Sequence, residues 1–402
     1  MLRSAFRSIQ RRRFVALIGT LTIQAYSALL GQNQVVVGEK LTLRSAVLGE
    51  DRDIYFASLP DDPGSKESYP VLYLLDAESH FRHASSAVEF LASADRIPRM
   101  IVVGIASGSR EHRSRDLTPT SSSEVDRRFT PVHGGAARFL TFLTKELMPM
   151  VEKKYPTRPY RILAGHSHGG LFATYAFAEN PTLFQAYLAF DPSLSWDKGA
   201  VVDRVGATIA GKKSLRTDFF VAAAHSGEQL DRHIARLVAT LRERSPAGFR
   251  LHFDWLKQET HMSIPLRALP QGLEQVFDKW HLTNPLELYA KGGIAAIHEH
   301  FRSGGERYGY DRTTSPFTVS MVVAELLAGQ SYQTSRTPRD SGKLTAQPDE
   351  NHPRALGRGV GSGPKNNRCL AGAVRRLPES AGQTRANRLG PGGRTGFLLL
   401  LS

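Results

Sequence analysis

The sequence predicts an α/β fold, with a mostly parallel, doubly wound sheet and helices on both of its faces. Several short runs are continuously apolar, as expected of strands that are buried on both faces of a parallel sheet. Longer segments with helical periodicity separate these runs. Strands that alternate with helices of this length imply right-handed βαβ units, and therefore one sheet that is covered on both sides.

The first three predicted strands alternate in polarity and have short turns, which indicates an antiparallel leading hairpin. They are Val35–Val37, Lys40–Ser45 and Asp53–Ser58. The remaining predicted strands are Val71–Leu75, Met100–Ile105, Tyr160–Ala164, Ala186–Phe190, Thr217–Ala223 and Phe249–Leu256. The predicted helices between them are Ala84–Ala94, Gly134–Lys154, Gly169–Glu179 and Gln229–Glu243.

The chain has 402 residues and a formal net charge of +14, but this charge lies at its two ends. Residues 1–32 contain five arginines and no acidic residue, and residues 333–402 contain 12 basic and four acidic residues. The stretch between them therefore carries only +1. A DNA-binding domain would be expected to carry a basic face on its folded part, so no nucleic acid is expected as a partner.

Residues 1–31 are predicted to be a signal peptide or a signal anchor. Arginines precede an apolar run, Phe14 to Gly31, which is short and polar for a membrane span but suits a signal-peptide core. The stretch Arg11-Arg12-Arg13-Phe14-Val15 also resembles a twin-arginine export signal. We expect an exported, periplasmic or secreted protein with no stable membrane span after cleavage. A cytoplasmic protein whose start codon is wrongly assigned is the alternative.

Residues 33–282 are the predicted main domain, and the sequence pattern changes after it. Two amphipathic stretches, Leu286–Arg302 and Val319–Gln330, predict a helical extension over residues 285–332 that resembles a truncated tetratricopeptide-like array. Residues 333–402 lose hydrophobic periodicity and are predicted to be a disordered basic tail. Because this change is abrupt, we hypothesise that the tail is frameshifted. It holds the only cysteine, Cys369, so no intrachain disulfide is possible.

The segment Gly165-His166-Ser167-His168-Gly169 predicts a nucleophilic serine. The five-residue pattern is weak by itself, but a predicted strand precedes it and a predicted helix follows it. A strand, a sharp turn and a helix are what a nucleophile elbow requires. Gly165 and Gly169 are expected to be necessary because side chains there would clash as the strand and the helix close on each other. Ser167 is therefore the candidate nucleophile.

A serine hydroxyl needs a base to accept its proton, and that base is expected after the last strand. His261 follows the strand Phe249–Leu256, whereas the alternatives His252 and His281 lie within a strand and too far along the chain. The acid that orients the histidine is expected on the loop after the preceding strand, where Glu228 lies. The rival carboxylates are Asp231 and Asp254.

The oxyanion of an acyl-transfer intermediate needs two backbone N–H groups. One is expected from His168, which follows the nucleophile. The other is expected from Asp76-Ala77-Glu78, on the loop after the strand Val71–Leu75.

Several stretches, in this order along residues 35–282, resemble the Putative esterase (esterase D-like) family of α/β-hydrolases. That family includes enterochelin and bacillibactin esterases, feruloyl esterases, S-formylglutathione hydrolases and the mycolyltransferases of the antigen 85 complex. The stretches are Tyr69-Pro70-Val71-Leu72-Tyr73-Leu74-Leu75-Asp76, Gly165-His166-Ser167-His168-Gly169-Gly170, Asp191-Pro192-Ser193-Leu194-Ser195-Trp196, Glu228 and His261-Met262-Ser263.

The resemblance implies an α/β-hydrolase with a triad of Ser167, His261 and Glu228, and it suggests the Glu78 amide as the second oxyanion donor. The sequence departs from the family at Ala77, where glycine is usual, and at His168, where a small or apolar residue is commoner. Neither change removes a required group.

Two further residues, Asp76 and Trp196, are candidates for substrate binding, although the segment around Trp196 could equally be a turn with a packed aromatic ring. The polar segment from Ser107 to Val132 is long enough to be a substrate loop, or it could be an ordinary surface loop.

No cofactor and no metal site is predicted. His80 and His83 have no cysteine nearby, and His298 and His300 point away from each other on a helix. All four are interpreted as surface or packed residues.

These features predict a serine carboxylic ester hydrolase that acts on a small-molecule ester through an acyl-enzyme. A siderophore lactone or an acyl-sugar type of ester is favoured if the chain is exported. One alternative is an acyltransferase that uses the same triad. The other is a degenerate, inactive hydrolase with an interaction role. The sequence leaves the oligomeric state open.

Overall fold

The computed structural model describes residues 35–57, 67–312, 314 and 319–327. In this part of the chain, eight strands form one sheet in the order β1-β2-β4-β3-β5-β6-β7-β8. The pairs β1–β2 and β2–β4 are antiparallel, and all other neighbouring strands are parallel. The predicted α/β-hydrolase fold class, with a mostly parallel sheet, is confirmed.

The strands are β1 Glu39–Arg44, β2 Asp51–Ala57, β3 Tyr69–Leu75, β4 Ile101–Ile105, β5 Thr157–His166, β6 Ala186–Phe190, β7 Asp218–Ala223 and β8 Arg250–Trp255. The helices are α1 Ala77–Ser93, α2 Arg110–Leu117, α3 Glu124–Phe129, α4 Ala136–Phe142, α5 Met148–Lys154, α6 His168–Glu179, α7 Ala200–Ile209, α8 Glu228–Glu243, α9 Ile264–Val276 and α10 Pro285–Tyr308. A π turn, Leu143–Leu147, joins α4 to α5.

The burial of each strand explains its place in the sheet. Every residue of β3, β4, β6 and β7 is buried, as the continuous apolar runs predicted. The edge strand β1 instead alternates between exposed and half-buried residues. The leading hairpin is thus formed by β1 and β2, whereas Val35–Val37 precedes β1 as exposed, irregular chain.

Helices cover both faces of the sheet and divide the core in two. One side is packed by α4 to α8, with Phe139, Phe172 and Leu237 among its buried side chains. The other side is packed by α1 and α9, with Val88 and Leu273 buried against the strands. The carboxyl ends of the parallel strands consequently meet at one open edge between the two layers, where ligands bind in open α/β sheets.

Four helices were not predicted, and the sequences of three of them explain why. Neither α2 nor α3 has an apolar stripe, and each instead begins at a serine, Ser109 or Ser123, whose hydroxyl accepts a backbone N–H of the first turn. Helix α9 contains Pro270 and starts with Pro265 near its N-terminus, which disguises its helical pattern. Helix α7 is the fourth, and nothing in its sequence explains why it was not predicted.

The helical extension packs on the main domain through its longest helix. In α10, Arg307 donates two hydrogen bonds to the buried carboxylate of Asp218, at 3.0 and 2.9 Å. Tyr308 is also buried and donates to the carbonyl of Val276 at 3.1 Å. A further helix spans residues 319–327.

Two predicted segments, the signal peptide at 1–31 and the tail at 333–402, lie outside the described residues and stay predictions. Within the described ranges, no helix combines the length and the apolar character needed to cross a bilayer.

We predict that Arg307→Met destabilises the protein by about 2 kcal/mol, because Asp218 stays buried and loses one of its cationic partners. Urea unfolding monitored by circular dichroism measures this change. The matched control is Arg302→Met on the same helix, since Arg302 is exposed and pairs only with Glu299 and Glu306. Equal unfolding midpoints for both variants and the wild type would show that the extension is not held by Asp218.

Candidate active site

Residues just after four of the six parallel strands share an unusual backbone conformation. Asp76, Ser167, Asp191 and His225 follow β3, β5, β6 and β7, and their φ angles are 54°, 59°, 40° and 52°. Non-glycine residues rarely adopt positive φ, because the Cβ atom crowds the backbone. Such strain persists only where the surrounding structure enforces it, and it concentrates at functional sites. The open edge of the sheet is therefore the candidate site.

Ser167 occupies a nucleophile elbow between β5 and α6, with φ 59° and ψ −117°. Its backbone N–H donates to Phe190 O at 3.0 Å and its carbonyl accepts from Ser193 N at 3.1 Å, which fixes the turn against the end of β6. Its hydroxyl lies 3.2 Å from Ser193 Oγ.

The tight turn depends on one of the two glycines expected to matter. A Cβ on Gly165 would lie 2.4 Å from the backbone of Gly169, so any side chain would force the strand and the helix apart. A Cβ on Gly169 would meet only ordinary contacts, 3.5 Å from Asp76 Oδ2 and from Leu75 Cβ. The expected clash at Gly169 was therefore wrong.

His261 lies between β8 and α9, and its Nδ1 is 2.6 Å from Asp191 Oδ2. The side chain of Asp191 is fully buried. Ser226 also donates to Asp191 Oδ2, and Ala224 N donates to Oδ1 at 3.1 Å. Burial raises the pKa of Asp191, but the hydrogen bonds from His261, Ser226 and Ala224 outweigh it and lower the pKa below the usual value. The site therefore holds an ionised carboxylate against the imidazole.

The structure does not bring Glu228 to His261, and this corrects the sequence prediction of the acid. Glu228 is the first residue of α8, its side chain is 90% exposed, and it pairs with Arg232 at 2.8 Å. The rivals are engaged elsewhere, since Asp231 Oδ2 lies 3.1 Å from His225 Nδ1 and Asp254 accepts from two glutamine amides. Neither of the alternative histidines replaces His261 at Asp191.

Sequence reasoning missed Asp191 because it assigned the acid to the loop after β7. Asp191 follows β6, which is the direct neighbour of the nucleophile strand β5. Its position at the carboxyl end of a buried strand was a usable signal, but the following proline made Asp191-Pro192-Ser193 look like an ordinary turn.

Three further histidines pack behind His261, of which His166 is buried and His80 and His83 are half-buried. The ring of His166 lies 4.5 Å from that of His261, and His80 packs edge-on against His166 at 5.7 Å. Burial, followed by the proximity of His261 and His80, lowers the pKa of His166 to about 3. His80 Nδ1 lies 3.1 Å from His83 Nε2, and burial lowers the pKa of both. These imidazoles are thus uncharged packing groups at pH 7.

The two predicted oxyanion donors belong to the first turns of two helices at the site. His168 begins α6, and Glu78 lies in the first turn of α1, whose N-cap residue Asp76 makes no side-chain cap. The free N–H groups and the positive end of a helix dipole both favour an anion. The side chain of Glu78 accepts a hydrogen bond from Gly108 N at 2.7 Å.

The structure does not support Asp76 as a substrate-binding residue. Its buried carboxylate already accepts hydrogen bonds from Arg113 and Ser107.

A pocket of about 190 Å³ is lined by His168, which follows Ser167, and by Ser193, whose hydroxyl lies 3.2 Å from that of Ser167. Its wall includes part of the predicted substrate loop, through α3, and the predicted residue Trp196, whose Nε1 donates to Pro119 O at 3.0 Å. The side chains that give it apolar and polar walls are Val125, Asp126, Phe129, His168, Ser193 and Trp196. Burial, with Arg113 next in importance, lowers the pKa of His168 to about 4 and keeps it neutral.

Histidines away from this site have structural partners. His300 Nε2 lies 3.2 Å from His281 O, and His298 Nδ1 lies 2.6 Å from Thr314 Oγ1. Across residues 35–57, 67–312, 314 and 319–327, no group of three or more His, Cys, Asp or Glu side chains could hold a metal ion.

A serine on an elbow after β5, next to a histidine that is paired with a buried carboxylate, defines an α/β-hydrolase of the serine hydrolase class. Comparisons with known proteins agree. The model of the family described as "Putative esterase" matches residues 45–241. Ferri-bacillibactin esterase BesA from Bacillus subtilis is 31% identical over 229 residues, which cover 52% of this chain and 79% of BesA.

The siderophore triacetylfusarinine C esterase of Aspergillus fumigatus is 29% identical over 246 residues, covering 52% of this chain and 82% of that protein. Among solved structures, an IroE-like serine hydrolase from Shewanella oneidensis is 27% identical with a TM-score of 0.59, covering 73% of this chain and 95% of that one. The chain belongs to the Putative esterase family and is a serine carboxylic ester hydrolase.

We predict that Asp191→Asn lowers kcat by about 10³- to 10⁴-fold, because an amide would favour the wrong histidine tautomer and would not stabilise the imidazolium. Steady-state hydrolysis of p-nitrophenyl butyrate measures the loss.

The matched control is Glu228→Gln, for which we expect kcat within about twofold of the wild type, since Glu228 is exposed and pairs with Arg232 at the surface. A large loss in Glu228→Gln together with a mild effect of Asp191→Asn would restore the assignment made from the sequence.

Proposed function

We propose that this protein hydrolyses an ester bond of a siderophore through an acyl-enzyme on Ser167. One observation carries the proposal: Ser167 on its nucleophile elbow and the hydrogen-bonded pair of His261 and Asp191 lie at the same edge of the sheet. The siderophore class is supported by relatives that are named as esterases of ferri-bacillibactin and of triacetylfusarinine C.

The proposed reaction begins when the Ser167 hydroxyl turns from Ser193 toward Nε2 of His261. Catalytic hydrogen bonds often form fully only with substrate bound, so the present contact with Ser193 is compatible with this step. Ser167 Oγ then bonds to the ester carbonyl carbon while its proton passes to His261. Asp191 holds Nδ1–H and stabilises the imidazolium. The imidazolium next protonates the leaving alkoxide, and the ester C–O bond breaks.

Water completes the turnover by the same route. His261 removes a proton from water, the resulting hydroxide adds to the acyl carbon, and Ser167 Oγ leaves with that proton. In both half-reactions the oxyanion is proposed to accept hydrogen bonds from two backbone N–H groups. His168 at the start of α6 is the first donor, and Glu78 at the start of α1 is the second. Acyl transfer to an alcohol would differ only in the acceptor of the second half.

The pocket beside Ser167 is proposed to take one arm of the ester. Its rim carries the exposed apolar side chains Val125 and Phe129 of α3, and Trp196 forms its inner wall. Apolar and aromatic walls with a few polar groups are typical of small-molecule sites.

We expect wild-type protein to cleave an ester bond of ferri-bacillibactin with the gain of one water, as read by mass spectrometry. We expect Ser167→Ala to lower this rate and that for p-nitrophenyl butyrate by at least about 10³-fold. Unchanged circular dichroism of Ser167→Ala is the control for folding.

Adding glycerol to the assay separates hydrolysis from acyl transfer. The proposal predicts a free acid as the main product, and a glyceryl ester as the main product would assign acyl transfer instead. Undiminished turnover by Ser167→Ala would refute the nucleophile, and failure of the wild type on every siderophore ester, with p-nitrophenyl butyrate still cleaved, would refute the substrate class.

A further inference from the structure

An arginine outside the triad connects the two elements that are proposed to supply the oxyanion donors. Arg113 lies on α2, within the segment 107–132, and its side chain is 29% exposed. Its Nε donates to Asp76 Oδ1 at 2.7 Å and its Nη2 donates to Asp76 Oδ2 at 2.8 Å. The same Nη2 lies 3.4 Å from His166 O, the carbonyl directly before Ser167.

Asp76 is the residue through which this contact reaches the start of α1. It directly follows β3 and serves as the N-cap residue of α1, with φ 54° and ψ 50°. Its carboxylate is buried and makes no cap to the helix, and its remaining hydrogen bond comes from Ser107 Oγ at 3.0 Å. The αL conformation strains a non-glycine residue and persists only when neighbouring contacts enforce it. The bidentate contact between the Arg113 guanidinium and the Asp76 carboxylate is such a constraint.

The carboxylate of Asp76 also lies close to the start of α6. A Cβ placed on Gly169 would be 3.5 Å from Asp76 Oδ2, so the carboxylate sits against the turn that carries Ser167 and His168. Burial raises the pKa of Asp76, but the charge and hydrogen bonds of Arg113 outweigh it and lower the pKa. A full negative charge is therefore held next to the place where a second negative charge develops during catalysis.

The helix that presents Arg113 is firmly anchored at its other end. Asp116 pairs with the buried Arg52 of β2 at 2.6 Å, and Arg115 pairs with Glu50 at 2.6 Å. Arg115 O also accepts from Gly135 N at 2.7 Å. This network holds α2 against the edge hairpin of the sheet, and it therefore fixes the position of the Arg113 guanidinium.

We propose that Arg113 is the positioning residue of the oxyanion hole. It ties the start of α1 to the turn before Ser167, and it balances the charge of Asp76 so that this carboxylate does not repel the oxyanion. The inference rests on the proposed function of the same site, since it assumes an oxyanion between His168 N and the first turn of α1.

The test measures the rate constant for labelling of Ser167 by a fluorophosphonate, together with kcat and KM for p-nitrophenyl butyrate. In Arg113→Met, labelling and kcat are expected to fall about 10- to 100-fold while KM changes less than about twofold, because the lost interaction matters only when the oxyanion forms. In Arg113→Lys, which keeps the charge but loses the fork, a smaller loss is expected.

A second substitution separates this role from a general loss of structure. Adding Asp76→Asn to Arg113→Met removes the uncompensated charge, and at least about a fivefold recovery of kcat is expected. The matched control is Arg110→Met, an exposed residue of the same helix, which is expected to keep wild-type rates.

Labelling and kcat of Arg113→Met within about twofold of the wild type would overturn the proposal. So would a loss that falls on KM alone, which would make Arg113 a substrate contact, or a double variant no better than the single one. If Arg113→Met does not fold, wild-type rates in Arg113→Lys would overturn it instead. Failure of the proposed function is distinguishable, because a wild type that is labelled at Ser167 and cleaves no ester still reports on Arg113.

Discussion

The hydrogen bond between His261 and Asp191 is the contact on which the proposed chemistry of this site depends. A histidine between β8 and α9 can serve a serine after β5 only if something holds its ring toward the middle of the sheet. Asp191 does this from the end of β6, the strand that lies beside β5. The carboxylate is itself held by Ser226 and by the Ala224 amide from the loop after β7. The site is thus built from the segments that follow β5, β6, β7 and β8, because the carboxyl ends of parallel strands lie at one edge of the sheet.

Two buried carboxylates at this edge are stabilised in different ways. Asp76 is held by the two-point contact of the Arg113 guanidinium, so this pair suits a fixed structural role. Asp191 faces His261, which the proposed reaction uses to take up and release a proton. Both aspartates have positive φ, as does Ser167 between them in sequence. Backbone strain is therefore concentrated where ionised groups and the nucleophile must be aimed, while the strands behind them are fully buried and regular.

Hydrophobic pattern and chain order were sufficient to predict the fold class, most strands, the elbow at Ser167 and the place of His261 in the chain. They were insufficient for the acid, since several loops after neighbouring strands carry carboxylates and only packing decides which one reaches the imidazole. Glu228 satisfied the expected order, yet its side chain points to solvent beside Arg232. Helix α2 could not be predicted either, because its charged sequence looks like a solvated surface segment. In the folded protein Arg113 instead pairs with Asp76, and Asp116 pairs with Arg52.

The most direct measurement of this account is the proton NMR signal of the Nδ1–H group of His261, which appears far downfield when a carboxylate accepts the hydrogen bond. The account predicts one such resonance in the wild type and in Glu228→Gln, and its loss in Asp191→Asn and in His261→Gln. A resonance that survives in Asp191→Asn but disappears in Glu228→Gln would contradict the central claim, because it would place the acid of the site on α8 rather than at the end of β6.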